Sequence, residues 1–241
     1  MRDCRYMTDL YILPGLDGTT RMLDMFVAAA RTTDFSTVHA IGYPPDRPLG
    51  YAQLEAFARA ELPRQAPFVL LGESFSGPIA IAIAADPPAN LIGLVLSTTF
   101  ARAPVPLLAP FASLTRFAPT RALPTAALSA VLLGRWSTPE LRRTLRAALD
   151  DVAPAVQRIR AAAAMRVDMS EHLARIAVPT LTLKANHDRL LRAGAGHQLL
   201  AGIANVRQVA LDGPHLLLQT RTDRCAEAVA KFAASIGART T

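Results

Sequence analysis

The sequence predicts an α/β fold: a mostly parallel sheet of about six strands, flanked by helices and interrupted by a helical cap insertion. Three observations predict it. Short apolar runs alternate with helix-length segments along most of the 241 residues, the pattern of strands covered on both faces. The alternation stops between residues 100 and 175, where proline and alanine replace any strand signal. One strand also runs straight into a small-residue helix through a Gly–Ser turn, "FVLLGESFSGPIAIAIAAD", residues 68–86.

Taken in order, "TDLYILPG" (8–15) is the first strand, and a weaker one lies in "STVHAIGYP" (36–44). The strand opening at Phe68 follows, then "LIGLVLST" (91–98), "VPTLTLKA" (178–185) and "NVRQVALD" (205–212), all expected to be buried on both faces. Helical patterns fall at 20–31, 51–62, 77–85, 189–203 and 222–236. Inside the interruption, "STPELRRTLRAALDD" opens a helix with Ser137 or Thr138 as cap, Pro139 in the first turn and Glu140 at the positive end of the dipole. Leu141, Leu145 and Leu149 share one face of it, and Arg142, Arg143 and Arg146 lie away from that face. The organisation expected is a core of residues 1–99 and 176–241, with residues 100–175 as a helical cap inserted in it.

Bulk properties exclude several classes. With 51% hydrophobic residues the chain is not disordered, and no apolar run reaches the roughly 18 residues of a membrane span. The opening "MRDCRYMTDLYILPG" has no signal-peptide apolar region. Cys4 and Cys225, far apart, form no disulfide framework, so a cytoplasmic setting is expected. The net charge is +7, and residues 100–170 alone hold ten arginines against four acids, Glu140, Asp150, Asp151 and Asp168. No nucleic-acid module accompanies that excess, and aromatics are too sparse for a stacking platform. No phosphate loop, dinucleotide fingerprint or metal-ligand spacing occurs, so neither a cofactor nor a metal is implied.

The chemistry lies at the strand ends. "GESFSG" is a strand-to-helix turn close to G-x-S-x-G, with Ser76 at the second glycine position and Gly77 one residue later. Centring the motif on Ser76 would put Ser74 and Pro78 at the glycine positions, which fails, so Ser74 is the candidate nucleophile; a plain helix cap is the competing role for it. Asp188 follows the strand "VPTLTLKA", and His215 follows "VRQVALD". A serine hydroxyl needs a base to take its proton, and the base needs a carboxylate to orient it. His215 fits the first requirement and Asp188 the second. Asp212 is expected to serve the turn, and His187 and His197 the surface. Negative charge on an intermediate needs aligned donors, for which the backbone N–H groups of Phe75 and of Leu16, in "LPGLDGTT", are the candidates.

With "LPGLDGTT", "LGESFSGP", "VPTLTLKANHD" and "GPHLLLQ" in this order, nearly the whole chain resembles a small cap-bearing member of the α/β-hydrolase superfamily, similar to carboxylesterases and pimeloyl-carrier methyl esterases. The resemblance implies the α/β-hydrolase fold and a Ser-His-Asp serine esterase cleaving small carboxylic esters. Three departures stand out: Pro14 where many relatives have histidine, Ser76 for glycine, and no strand pair before residue 8. Phe100, Phe111, Phe117 and Trp136 are candidate pocket residues under an apolar cap. The cap arginines suggest an alternative, an esterase or thioesterase whose acyl group is carried by acyl carrier protein or coenzyme A. A lyase, an acyltransferase or a binding module of the same fold is the remaining reading.

Overall fold

The computed structural model describes residues 8–104, 125–191 and 193–237. Among these residues six strands, all parallel, form one sheet in the order β2-β1-β3-β4-β5-β6. They are β1 (Asp9–Leu13), β2 (Val38–Ala40), β3 (Phe68–Glu73), β4 (Leu91–Ser97), β5 (Thr180–Ala185) and β6 (Val206–Leu211). Around them run α1 (Asp24–Ala30), α2 (Tyr51–Glu61), α3 (Gly77–Ala85), α4 (Thr125–Leu132), α5 (Pro139–Asp150), α6 (Pro154–Ala164), α7 (Ser170–Leu173), α8 (Ala193–Gly202), α9 (Leu217–Thr220) and α10 (Thr222–Gly237). Helices α4 to α7 fall between β4 and β5, within the segment that lacks strand signals.

Alternation along β3 explains the layering. Phe68 and Leu70 point into a core shared with Leu54 and Ala58 of α2 and Ile79 and Ile83 of α3. Val69 and Leu71 point the other way, against Phe26 of α1, Leu217 of α9 and Val229 of α10. Both faces of the central strands are therefore dry, and each fully buried Leu or Val contributes about 1.5–3 kcal/mol. A smaller cluster joins Leu133, Leu145 and Ala148, from the stretch between β4 and β5, to Met22 and Leu216.

Three expectations need correction. Strand β6 is not buried on both faces: Arg207, Gln208 and Ala210 are exposed, because it is an edge strand with β5 as its one partner. The helix expected from residue 189 begins at Ala193, because the preceding backbone is held in a turn by Asp188, whose Oδ1 accepts the N–H of Leu190 and of Leu191. The helix expected from residue 20 opens as a 3-10 turn, Arg21–Leu23, before α1. Of the two cap candidates for α5, Thr138 takes the role, accepting from Leu141 N–H at 3.2 Å, worth about 1 kcal/mol.

Candidate active site

Strand β3 ends at Glu73, and the chain turns through Ser74–Ser76 into α3. Ser74 sits at φ +46°, a left-handed conformation that an L-residue adopts at a cost; it is thus no ordinary helix cap. The turn survives because its surroundings fix it. Thr99 Oγ1 donates to the Ser74 carbonyl, and a Cβ on Gly77 would lie 1.8 Å from that same Oγ1. The glycine one position late is therefore the one that close approach demands.

Ser76, at the usual glycine position, is fully buried and more than a tolerated small residue. Its hydroxyl donates to the Pro14 carbonyl at the end of β1 and accepts from Tyr43 O–H at 2.7 Å. Burial raises the Tyr43 phenol well above its ordinary range, so it stays a donor. The Ser76 hydroxyl thus ties the serine turn to the main chain at position 14, through a carbonyl that any residue there would offer.

Across the sheet top, Ser74 Oγ lies 2.8 Å from His215 Nε2, and His215 Nδ1 lies 2.8 Å from Asp188 Oδ2. The side chains of His215 and Asp188 are 2% and 10% exposed. A carboxylate only accepts, so Nδ1 carries the proton and Nε2 is left to accept from the serine. With its other oxygen bonded to the N–H groups of Leu190 and Leu191, Asp188 cannot swing away. The acid and histidine loops are tied to each other by His187 N–H to Gly213 O at 3.0 Å. Leu216 N–H reaches Leu132 O at 3.1 Å, so the histidine loop also leans on α4.

Of the candidate oxyanion donors, Phe75 follows Ser74 within the turn, and Leu16 stands in a Gly15–Gly18 turn closed by Gly18 N–H to Gly15 O at 3.0 Å. A trans peptide points its C=O and N–H in opposite directions. Holding the Ser74 carbonyl with Thr99 therefore aims the Phe75 N–H away from Thr99. Tyr51 adds a second hold: its O–H donates to Phe75 O at 3.0 Å and its ring stacks on Phe75 at 4.8 Å.

Sequence reasoning missed several residues here. Glu73, one residue before the serine, is 2% exposed and accepts from Gln219 Nε2 at 3.0 Å. Burial, reinforced by nearby Asp17, pushes its carboxyl up to about 7. Arg160 of α6, with no exposed surface, donates to the carbonyls of Leu16, Asp17 and Pro44. Asp212, expected to serve a turn, is instead an exposed hub for Arg135, His187 and Arg221.

Among the pocket candidates, Phe100 is buried, and Trp136 is partly exposed between Arg135 and Arg221. Phe111 and Phe117 lie outside the described residues, as does Cys4; Cys225 is buried, and burial pushes its thiol up to about 12. A cavity of about 200 Å³ backs Asp188, and one of about 840 Å³ separates α5 from the start of α1. Neither is lined by Ser74. The α5 arginines are occupied locally: Arg143 with Glu140 at 2.7 Å, Arg146 with Asp150 at 3.9 Å, Arg142 with Ser137 Oγ at 3.0 Å. Among the described residues no helix is long and apolar enough to cross a membrane, and no metal-binding cluster occurs.

A parallel sheet with a serine on the left-handed turn after β3, and a histidine facing it from the loop after the last strand, defines an α/β hydrolase. The chain belongs to the family described as serine aminopeptidase, S33 (Hydrolase_4), whose profile matches residues 51–235. No curated protein sequence matches it. Among solved structures it is similar to the enol-lactonase from Burkholderia xenovorans LB400, with a TM-score of 0.80, 21% identity and coverage of 94% of this chain and 91% of that one. A hydrolase from Pseudomonas aeruginosa PA01 gives 0.77 at 24% identity over 94% and 89% of the two chains. The esterase EaEST from Exiguobacterium antarcticum gives 0.74 at 15% identity over 93% and 91%.

Proposed function

We propose that the chain is a serine hydrolase that cleaves carboxylic esters of small molecules through an acyl-enzyme. Ser74 is the nucleophile, His215 the general base and acid, and Asp188 the carboxylate that orients the imidazole. The observation that carries this reading is the unbroken relay from Ser74 Oγ through His215 to Asp188, 2.8 Å at each step.

In the first half-reaction Ser74 Oγ attacks the acyl carbon while Nε2 takes its proton. The oxyanion of the tetrahedral intermediate accepts the N–H groups of Leu16 and Phe75. Its collapse breaks the ester C–O bond, and Nε2 returns the proton to the departing alkoxide. Water then attacks the acyl-enzyme with the same base, releasing the acid and restoring Ser74. These steps need no cofactor. Residues 100–175 act as a cap over the serine, on a core of residues 1–99 and 176–241.

The structurally similar enol-lactonase and esterase are named for this kind of chemistry. The family's description names a peptidase, and an amide would use the same relay with an amine leaving group. The deciding experiment is hydrolysis of p-nitrophenyl esters from acetyl to decanoyl, beside alanine p-nitroanilide and a fluorophosphonate probe. Ester turnover and labelling are expected in the parent, and Ser74→Ala is expected to abolish labelling and lower kcat by at least about 10⁴-fold. A folded protein that neither labels nor turns over any ester would overturn the reading. Labelling without ester turnover would move it to a peptidase, lyase or acyltransferase.

A further inference from the structure

Arg160 lies in α6, 86 residues beyond Ser74 in the chain, yet its guanidinium is enclosed beneath the loop that follows β1. Its Nη1 donates to Asp17 O and, at 3.3 Å, to Leu16 O; its Nη2 donates to Pro44 O at 3.1 Å. The cation also stands 5.6 Å from the centre of the Tyr43 ring. A buried guanidinium that binds three main-chain carbonyls is a costly way to fill space, since its charge leaves water for neutral hydrogen-bond acceptors, and the Asp17 carboxyl offsets only part of that cost.

What those bonds fix follows from peptide geometry. The Asp17 carbonyl and the Gly18 N–H belong to one peptide unit and point in opposite directions. With the carbonyl held by Arg160, the Gly18 N–H is aimed at Gly15 O, which it reaches at 3.0 Å. The Gly15 carbonyl shares its own peptide unit with the Leu16 N–H, which therefore points away from Gly18. Two consecutive alignments thus connect the guanidinium to the direction of the Leu16 N–H. The loop is shaped to admit the cation. Gly18 has φ +69°, and a Cβ there would lie 2.2 Å from Arg160 Nη1. Tyr43, beside the same guanidinium, donates its N–H to Gly18 O at 2.7 Å and its O–H to Ser76, which donates to Pro14 O. The start of the loop is thus tied to the serine turn directly, and its Gly18 end through Tyr43.

We propose that Arg160 is a positioning residue for the oxyanion donor at Leu16, so that the helical insertion helps build the transition-state site as well as covering it. This rests on the ester-hydrolase reading above. Arg160 touches no reacting atom. It acts by holding a backbone N–H where charge develops, an interaction stronger in the transition state than in the bound ester.

The test uses Arg160→Lys, which keeps charge and most of the volume but lacks the fork that spans three carbonyls, with Arg160→Gln as a second variant. Each is compared with the parent for kcat and KM on p-nitrophenyl butyrate, and for inhibition by an alkyl trifluoromethyl ketone, whose serine adduct carries an oxyanion. For Arg160→Lys, kcat is expected to fall about 10- to 100-fold, below the cost of deleting a donor outright. KM should stay within about threefold, and the ketone should weaken in proportion to kcat/KM. An unchanged kcat in folded Arg160→Lys would overturn the proposal, and so would a lower kcat with unweakened ketone binding. The ester-hydrolase reading is judged separately, by fluorophosphonate labelling of Ser74 in the parent.

Discussion

Helices α5 and α6 follow one another in the chain, and both carry arginines, but they use them in opposite ways. On α5, Arg143 and Arg146 have side chains 72% and 60% exposed and pair with acids on their own helix. Such pairs contribute about 0–1 kcal/mol and weaken with salt. On α6, Arg160 is turned inward and bonded to three carbonyls of the core. The basic excess between residues 100 and 170 counts all of these alike. Burial separates them: Arg160 has no exposed surface and is bonded to core carbonyls, whereas Arg143 and Arg146 stand in solvent beside their own acids.

The sharpest way to break the comparison is through the loop that receives Arg160. Gly18→Ala adds a methyl group at a left-handed position and drives it into the guanidinium. That guanidinium cannot give way without releasing its carbonyls. The two penalties together amount to roughly 3–4 kcal/mol. Chemical denaturation should show a loss of this size, and ester turnover should fall with it. A variant that keeps parental stability and activity would mean that Arg160 and Gly18 are not locked together.

The same contrast between buried and exposed charge applies to acids, with Glu140 on α5 and Glu73 behind the serine. Glu73 in the folded chain titrates at about 7 against an ordinary 4.5, chiefly because it is buried. Its folded pKa is raised, so between about 4.5 and 7 the folded state holds more protons than the unfolded state. Stability therefore falls as pH rises through that window and is flat above it. Glu73→Gln keeps an acceptor for Gln219 and removes the ionisation. The variant should match the parent near pH 4.5 and exceed it at pH 8 by up to roughly 3 kcal/mol. Thermal melts of both proteins across that range measure the difference; a constant gap would sink the assignment.

Smaller again is Tyr43→Phe, which deletes one O–H and leaves the ring under Arg160. Ser76 keeps its bond to Pro14 O but loses a buried donor, at about 1–2 kcal/mol. A double-mutant cycle with Ser76→Ala should return a coupling of about 1 kcal/mol. Additive effects would mean that the 2.7 Å contact holds nothing.

These residues also show how far the sequence could be read. All six strands were legible, the inner ones because parallel strands buried in a sheet write themselves as Val-, Ile- and Leu-rich runs, and the edge strands β2 and β6 more weakly. The strand ends then put Ser74, Asp188 and His215 at one edge of the sheet. The distances among them were not legible, since they depend on twist and loop closure. The edge position of β6 was missed, although the adjacent Arg207 and Gln208 are a sign of exposure. The hydrogen bonds of Ser76 were not legible, because its partners Pro14 and Tyr43 stand 62 and 33 residues away. Arg160 did leave a trace: it falls four residues after Val156, on the buried face of α6. An arginine in register with an apolar face marks a buried cation, whereas a simple charge count averages it away.

The smallest effect expected is the most direct test of the comparison's other half. Replacing Arg142, Arg143 and Arg146 together by glutamate changes the charge by six and reverses the sign of the helix surface. Locally the gains and losses offset. Glutamates at 142 and 143 sit in the early turns of α5, where the dipole favours negative charge. Glutamates at 143 and 146 face Glu140 and Asp150 at helical spacing, where like charges repel by a few tenths of a kcal/mol each. Stability should change by less than about 1 kcal/mol, and kcat/KM for p-nitrophenyl butyrate by less than about twofold. The informative comparison is with an acyl group on coenzyme A or acyl carrier protein, measured at low and high salt. Because these arginines already have partners on or beside their own helix, the carrier-linked substrate is expected to respond as little as the small ester. A selective, salt-sensitive collapse on the carrier-linked substrate alone would assign α5 a recognition role and make the two helices partners in one site, one outside and one within.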